Sequence, residues 1–143
     1  MLVRLMYASR AADSVDADAL ASILKKSKEN NPTVGVTGVL CFCFNAGIFL
    51  QVLEGGRNAV SALYNHIARD ARHTDVALLS YEEIGERSFS SWSMGQVNMS
   101  RLNPALLLKY SESATLDPYA VPGKASLALF NELVATASIG VQA

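Results

Sequence analysis

The amino-acid sequence predicts an α+β fold, a ferredoxin-like sandwich with the element order βαββαββ. Apolar runs with the short length of strands alternate with two amphipathic patterns of helical period over residues 1–98. The strands are apolar on both faces, so both faces of the sheet have to be covered. Leucines at helical spacing after residue 103 can form the second cover.

The first strand is predicted at residues 2–9 and a helix follows at residues 16–29. We expect the segment of residues 30–32 to end this helix, because the residue before a proline avoids helical geometry. The apolar side of the helix carries Leu20, Ile23 and Leu24.

The rest of the predicted sheet consists of two strands before and two strands after a second helix. Strands are expected at residues 34–44 and 48–54, joined by a short hairpin, and a helix at residues 57–72. Two more strands, at residues 76–84 and 89–98, complete a mixed five-stranded sheet. Two helices can cover only one face of this sheet.

The second face is assigned to the C-terminal part of the chain. We expect residues 104–138 to form two helices joined at residues 117–123, although a dimer interface could also cover this face. The chain is therefore divided into a domain at residues 1–100 and a helical extension at residues 101–143.

Composition excludes several classes of function. The formal net charge of −1 over 143 residues provides no basic surface for nucleic acid. Polar residues or glycines interrupt every apolar stretch, so no membrane span is expected. The N-terminus runs directly into a strand pattern without a signal peptide, and we expect a cytoplasmic protein.

The sequence contains no motif typical of a metal site, a phosphate loop or a nucleophile elbow. Cys41 and Cys43 lie on the same face of one strand, too close in sequence for a normal disulfide and without a second pair of ligands. We expect them to be reduced thiols in the core.

Gln51 is the one polar residue in the apolar run of residues 48–53. A buried amide needs hydrogen-bond partners, and strand parity places the phenol of Tyr7 on the same face. Together with Asn31 and Arg72, these side chains could surround a flat heterocycle. The alternative is a satisfied glutamine in the core, beside an ordinary solvated helix end.

Six segments in order resemble the successive signatures of the BLUF domains, blue-light sensors that use FAD. They are LMYASR at residues 5–10, SKENN at 27–31, VTGVL at 36–40, FLQVLEG at 49–55, RDARH at 69–73 and RSFSSWSMG at 87–95. The resemblance covers residues 1–98. It is closest to short members of the family, which have a small helical extension and no output enzyme.

The resemblance implies a role for each matching residue. Tyr7 corresponds to the tyrosine that is photo-oxidised, and Gln51 to the glutamine that switches between this tyrosine and the flavin. The pair implied in signalling is Trp92 and Met94, placed together by parity on the last strand. The residues implied in FAD binding are Tyr7, Ile23, Ser27, Asn31, Gln51, Ile67, Asp70, Arg72 and His73.

The function implied is a photosensory protein that binds FAD non-covalently and is not an enzyme. Electron and proton transfer from Tyr7, with rearranged hydrogen bonds at Gln51, would give a reversible red-shifted state. The signal would pass to an unknown protein partner, and a homodimer is left open. The alternatives are a small ferredoxin-like flavin oxidoreductase and an interaction domain without a ligand.

Overall fold

A computed structural model of the chain describes residues 1–13, 15–43, 46–97, 103–115, 117–135 and 139–140. The strands are β1 (Leu2–Ala11), β2 (Thr37–Cys43), β3 (Ile48–Gly56), β4 (His73–Ile84), β5 (Gly95–Val97) and β6 (Ile139–Gly140). The helices are α1 (Ala17–Val34), α2 (Arg57–Ala68), α3 (Pro104–Leu108) and α4 (Gly123–Ala135).

All strands belong to one mixed sheet with the order β4-β1-β3-β2-β5-β6. Strand β1 is antiparallel to both β3 and β4, β2 is antiparallel to β3, and β5 is parallel to β2. The ferredoxin-like prediction is therefore confirmed for the five predicted strands. The two-residue strand β6, which pairs with β5, is an addition to the predicted sheet.

The sheet separates two hydrophobic cores. Val3, Leu5 and Leu53 point to the face that α1 and α2 cover. Met6, Leu50 and Val52 point to the opposite face, where α3 and α4 contribute the side chains of Leu107, Leu129, Phe130 and Leu133. Because neighbouring residues of a strand point to opposite faces, both covers are needed, as predicted. None of the described helices is long and apolar enough to cross a lipid bilayer.

Helix α1 is longer than predicted and does not end at Pro32. It begins at the cap Asp16, whose Oδ1 accepts the N–H of Ala19 at 2.8 Å, and it continues to Val34. Gly35 closes it in a left-handed conformation with φ of 72°, and the N–H of Val36 donates to the carbonyl of Asn31 at 3.0 Å. This C-terminal cap sustains the last turn beyond the proline and places Asn31 inside the fold.

Helix α2 is shorter than predicted, because it ends at Ala68 and not at Arg72. The side chain of Asp70 accepts the backbone N–H of Arg72 at 2.9 Å, a local turn that competes with helical hydrogen bonding. Residues 69–72 consequently form the connection to β4, and Asp70 and Arg72 are held together in this turn.

Strand β5 is also shorter than the predicted strand at residues 89–98. The buried carboxylate of Glu54 accepts the N–H groups of Ser88 at 3.0 Å and Phe89 at 2.7 Å, so these groups do not join a strand ladder. Residue 98 lies outside the described residues. As a result, Trp92 and Met94 belong to the segment before β5.

Candidate functional site

A cleft opens between α1, α2 and the sheet face that these helices cover. The structure brings all nine residues of the predicted cofactor set to this one cleft. They come from β1, α1, β3, α2, the α2–β4 connection and the start of β4, and they are Tyr7, Ile23, Ser27, Asn31, Gln51, Ile67, Asp70, Arg72 and His73.

Tyr7 and Gln51 face each other on adjacent strands at the floor of the cleft. The antiparallel register of β1 and β3 pairs these two residues directly, so their side chains emerge on the same face. The phenol of Tyr7 donates a hydrogen bond to Oε1 of Gln51. The amide, 5% exposed, thus has the phenol partner that strand parity predicts.

The other end of the Gln51 amide contacts the segment before β5. Its Nε2 donates to Sδ of Met94 at 3.1 Å. A thioether sulfur is a weak acceptor, so this bond is weaker than the phenol bond on the other side of the amide. Gln51 therefore connects a strong donor on β1 with a weak acceptor beside β5.

Burial affects the acid–base behaviour of Tyr7. The side chain is enclosed by apolar neighbours, and its ring lies 5.6 Å from that of Tyr64. Desolvation raises the pKa of Tyr7 far above its ordinary value, with smaller contributions from Tyr64 and Asp70. The phenol is consequently protonated at neutral pH and acts as a hydrogen-bond donor.

Asn31 presents a second buried amide, near the C-terminal end of α1. It is 3% exposed, and its Nδ2 donates to the carbonyl of Ser93 at 2.9 Å. The extension of α1 past Pro32 is what brings this residue into the cleft. One amide side chain thus ties the helix to the segment that carries Met94.

Asp70 and Arg72 form an ion pair at the rim of the cleft. Nη2 of Arg72 lies 2.5 Å from Oδ2 of Asp70, and Nε lies 3.0 Å from Oδ1. Hydrogen bonding to the guanidinium lowers the pKa of Asp70 well below its ordinary value. Asp70 therefore stays ionised and fixes the guanidinium against the cleft.

His73 completes this side of the cleft. Its Nδ1 lies 2.8 Å from Oγ of the buried Ser9, and its ring lies 4.6 Å from that of Phe49. Burial lowers the pKa of His73, partly opposed by the negative charge of Asp70. At neutral pH the imidazole is therefore uncharged.

The predicted placement of Trp92 and Met94 on one face is wrong. Met94 packs into the core below α1 and α2, next to Gln51, whereas Trp92 packs against the core below α3 and α4. The error follows from the assumed strand, since residues 89–94 have turn geometry and the alternation of a strand does not apply to them.

Sequence reasoning misses six further residues that line the cleft: Lys26, Asn30, Leu40, Phe49, Leu63 and His66. Helical spacing could have found three of them. Lys26 and Asn30 follow Ile23 by three and seven residues on α1, and Leu63 precedes Ile67 by four residues on α2. Helical spacing alone suggests a surface position for His66, and this residue is indeed exposed while also lining the cleft mouth.

Cys41 and Cys43 are reduced cysteines that pack on the side of the sheet away from the cleft. Desolvation raises the pKa of Cys41 to about 12, with a smaller contribution from Cys43. The thiol of Cys41 is therefore protonated at neutral pH, and the structure gives it a packing role.

The chemistry of the cleft fits the isoalloxazine ring of a flavin. Ile23 and Ile67 offer apolar walls for a flat ring, and amide and guanidinium groups from Asn31, Gln51 and Arg72 match a ring edge with carbonyl and imide groups. The two amides are buried and the guanidinium is fixed, so the polar set is already organised.

The family model of the sensors of blue light using FAD matches residues 2–95. The chain belongs to the BLUF family. The match includes the cleft and ends just before the C-terminal helices.

Curated relatives share this segment as one part of much longer proteins. Photoactivated adenylate cyclase subunit alpha of Euglena gracilis is 38% identical over 90 residues, which are 63% of this chain and 9% of the relative. Subunit beta of Euglena longa is 33% identical over 94 residues, 65% of this chain and 11% of the relative. The chain therefore matches about a tenth of the length of these cyclases.

Two solved structures resemble the chain along nearly their entire length. BlsA in its photo-activated state is 31% identical with a TM-score of 0.82, covering 94% of this chain and 95% of BlsA. BlrB in its dark state is 29% identical with a TM-score of 0.79, covering 95% and 96%. A bacterial light-regulated adenylyl cyclase, 28% identical with a TM-score of 0.68, is covered over only 36% of its chain.

Proposed function

We propose that this chain is a blue-light photoreceptor in which FAD occupies the cleft between α1 and α2, with Tyr7 and Gln51 as the photoactive pair. The observation that carries the proposal is the hydrogen-bonded row Tyr7–Gln51–Met94 at the cleft floor. It links a redox-active phenol to an amide that has two different bonding partners.

Bound FAD would supply the absorption of blue light and an excited state that accepts an electron. Tyr7 is placed to donate this electron, and its hydroxyl proton already points at Oε1 of Gln51. Loss of an electron makes a phenol strongly acidic, so the proton would move along this bond to the amide. Gln51 thereby receives the proton without any rearrangement of the backbone.

When the electron and the proton return to Tyr7, the amide of Gln51 would be able to settle in either of two hydrogen-bond arrangements. In the arrangement seen here, Nε2 is held only by the weak acceptor Met94. A rearranged amide that donates to a carbonyl of the bound flavin would exchange this weak bond for a stronger one. Such a donor stabilises the excited state relative to the ground state and shifts the absorption to longer wavelength.

The output would be a change in binding to a protein partner, without enzymatic activity of the chain itself. Several relatives carry the same segment joined to an adenylate cyclase, which supports a role as a sensory module. The residues implied in FAD binding by sequence are the nine that meet at the cleft. We place the protein in the cytoplasm, the compartment that its reduced cysteines favour.

The test is the absorption spectrum of the purified, FAD-reconstituted chain in the dark and after blue light. We expect a reversible red shift of the flavin band. Bleaching by NADH or NADPH without such a shift would instead identify a flavin oxidoreductase. A chain that cannot be reconstituted with flavin would contradict both functions and leave a ligand-free interaction domain.

A further inference from the structure

Tyr119 connects the C-terminal helices to the rim of the cleft. It lies in the segment between α3 and α4 and packs against the core that these helices cover. Its hydroxyl lies outside this core and donates to the backbone carbonyl of Asp75 at 2.9 Å. Asp75 follows His73 by two residues and Arg72 by three, so the bond ends beside two residues of the cleft.

Asp75 has an unusual backbone conformation. Its φ of 50° makes it the only residue other than glycine with a left-handed conformation in the described part of the chain. It lies where the register of β1 and β4 shifts between Ala8 and Arg10. A left-handed conformation is uncommon outside glycine and persists where surrounding contacts hold it.

Two further contacts hold Asp75 and Tyr119 together. Nε of Arg10 lies 3.3 Å from Oδ2 of Asp75, and the guanidinium of Arg10 lies 4.5 Å from the centre of the Tyr119 ring. Arg10 belongs to β1, Asp75 to β4 and Tyr119 to the C-terminal extension. Three separate parts of the chain therefore meet at Asp75.

The segment of residues 73–75 is fixed at both ends. At one end His73 is held by Ser9 inside the fold, and at the other end the Asp75 carbonyl is held by Tyr119 on the outside. The short turn between Asp70 and Arg72 precedes this segment directly. A shift of Asp75 would move the backbone that presents His73 and Arg72 to the cleft.

We propose that Tyr119 is a positioning residue for the flavin site, acting through Asp75 on Arg72 and His73. The inference rests on the proposed binding of FAD in this cleft. It gives the extension a role beyond covering the sheet, because the extension then couples to the cofactor at the α2–β4 rim. Coupling of this kind is reciprocal. If the Tyr119 bond favours FAD binding, FAD binding must stabilise the Tyr119 bond by the same factor.

The test compares the full-length Tyr119→Phe and Tyr110→Phe variants. Phenylalanine keeps the ring, so Tyr119→Phe removes only the hydroxyl that reaches Asp75. Tyr110 is the matched control, because it packs against the same core and its hydroxyl donates to Glu132 at 2.6 Å within the extension. Both variants lose one tyrosine hydrogen bond, but only one of these bonds reaches the cleft.

We expect Tyr119→Phe to raise the dissociation constant for FAD by roughly 2- to 10-fold, the range that the net contribution of one hydrogen bond allows. Tyr110→Phe should bind FAD with the wild-type constant. Added FAD should slow hydrogen exchange of residues 117–120 in the wild type but not in Tyr119→Phe. Wild-type affinity in Tyr119→Phe, or exchange at 117–120 that does not respond to FAD in the wild type, would overturn the proposal.

A failure of the proposed function can be distinguished from a failure of this inference. If the wild-type chain binds no flavin, hydrogen exchange of residues 73–76 is compared in the flavin-free proteins. Faster hydrogen exchange there in Tyr119→Phe than in the wild type and Tyr110→Phe supports the Tyr119 contact as a backbone anchor. Equal exchange in all three proteins rules the anchor out.

Discussion

The hydroxyl of Tyr7 is the group on which the proposed photochemistry depends. Tyr7→Phe keeps the ring in the core and removes the donor to Gln51. We expect this variant to bind FAD and to show no reversible red-shifted state, as recorded by light-minus-dark absorption difference spectra. A normal photocycle in this variant would remove Tyr7 from the mechanism.

Gln51 is expected to be equally necessary for the spectral change. Gln51→Leu fills a similar volume but offers no donor to a flavin carbonyl, so flavin should bind without a red shift. The change also leaves the buried hydroxyl of Tyr7 without its acceptor, which costs about 1–3 kcal/mol. Urea unfolding should show a loss of this size, and a retained wild-type difference spectrum would refute the switching role.

His73 makes the stability of the flavin-free chain dependent on pH. Its pKa in the folded state is lowered by burial from the ordinary value of 6.5, so the unfolded chain binds more protons below that pH. The stability associated with neutral His73 is present above pH 6.5 and is lost as the pH falls towards the lowered pKa.

We therefore expect the free energy of unfolding to fall between about pH 7 and pH 5, and to fall less in His73→Gln. His66→Gln is the matched control, because His66 is the only other histidine and lies exposed on α2. Urea unfolding at both pH values measures the difference. The same pH dependence in His73→Gln as in the wild type would show that another group is responsible.

At the scale of elements, the start of α4 packs directly against the backbone of β4 at Gly123. A Cβ at Gly123 would lie 2.0 Å from the carbonyl oxygen of Leu79, so only glycine allows this approach. We expect Gly123→Ala to push the helix from the strand and to lower the unfolding free energy by about 1–3 kcal/mol.

Gly85→Ala is the control for this prediction. Gly85 follows β4, and a Cβ added there would have no heavy atom outside its immediate chain neighbours within 4 Å, so alanine should fit. Chemical unfolding of both variants measures the difference in stability. Equal stabilities of the two variants would mean that the helix adjusts to the extra methyl group at little cost.

The sequence correctly predicts the boundaries of elements whose apolar pattern agrees with their local hydrogen bonding. It predicts the start of β3 at Ile48 and the start of α2 at Arg57, where the structure places them. The parity of β1 and β3 also predicts the contact of Tyr7 with Gln51, because antiparallel strands present paired residues on one face.

The errors occur where a side chain or a helix cap, rather than a periodic ladder, satisfies the backbone. Glu54 binds the N–H groups of Ser88 and Phe89 from another strand, and this interrupts a stretch that the sequence predicts as a strand. The helix cap after Pro32 likewise depends on Gly35 and Val36, beyond the expected end. Such long-range and capping bonds leave no periodic signal in the sequence, and they determine the positions of Met94 and Asn31.

At the scale of the molecule, the sheet separates the side that carries the cleft from the side that carries the C-terminal helices, and within the described residues two features link these sides. In the segment before β5, Met94 packs into the core on the cleft side of the sheet, while Trp92 packs against the core on the extension side. At the opposite edge, the Tyr119 bond reaches the residues after α2. A change at Gln51 therefore lies one contact from a segment that also packs against the C-terminal helices.

From this arrangement we predict that the sheet requires the extension as a cover. A chain ended after residue 101 would expose the face that carries Met6, Leu50 and Val52, which α3 and α4 otherwise cover. Burial of each side chain of this kind contributes about 1.5–3 kcal/mol to the free energy of unfolding. An exposed face is therefore expected to become buried by association with another molecule. We expect the truncated chain to aggregate or to form a new dimer, with FAD still bound in any soluble fraction.

The control for this last prediction ends the chain after Ala135 and so keeps both helices of the extension. Light scattering with size-exclusion chromatography should give this control the same number of subunits as the full-length protein, and only the shorter chain a larger assembly. A short chain that keeps the full-length subunit number would show that the sheet tolerates an open face. Loss of FAD from a soluble short chain would show that residues 1–100 are not an independent cofactor-binding domain, and that the extension also supports the cleft.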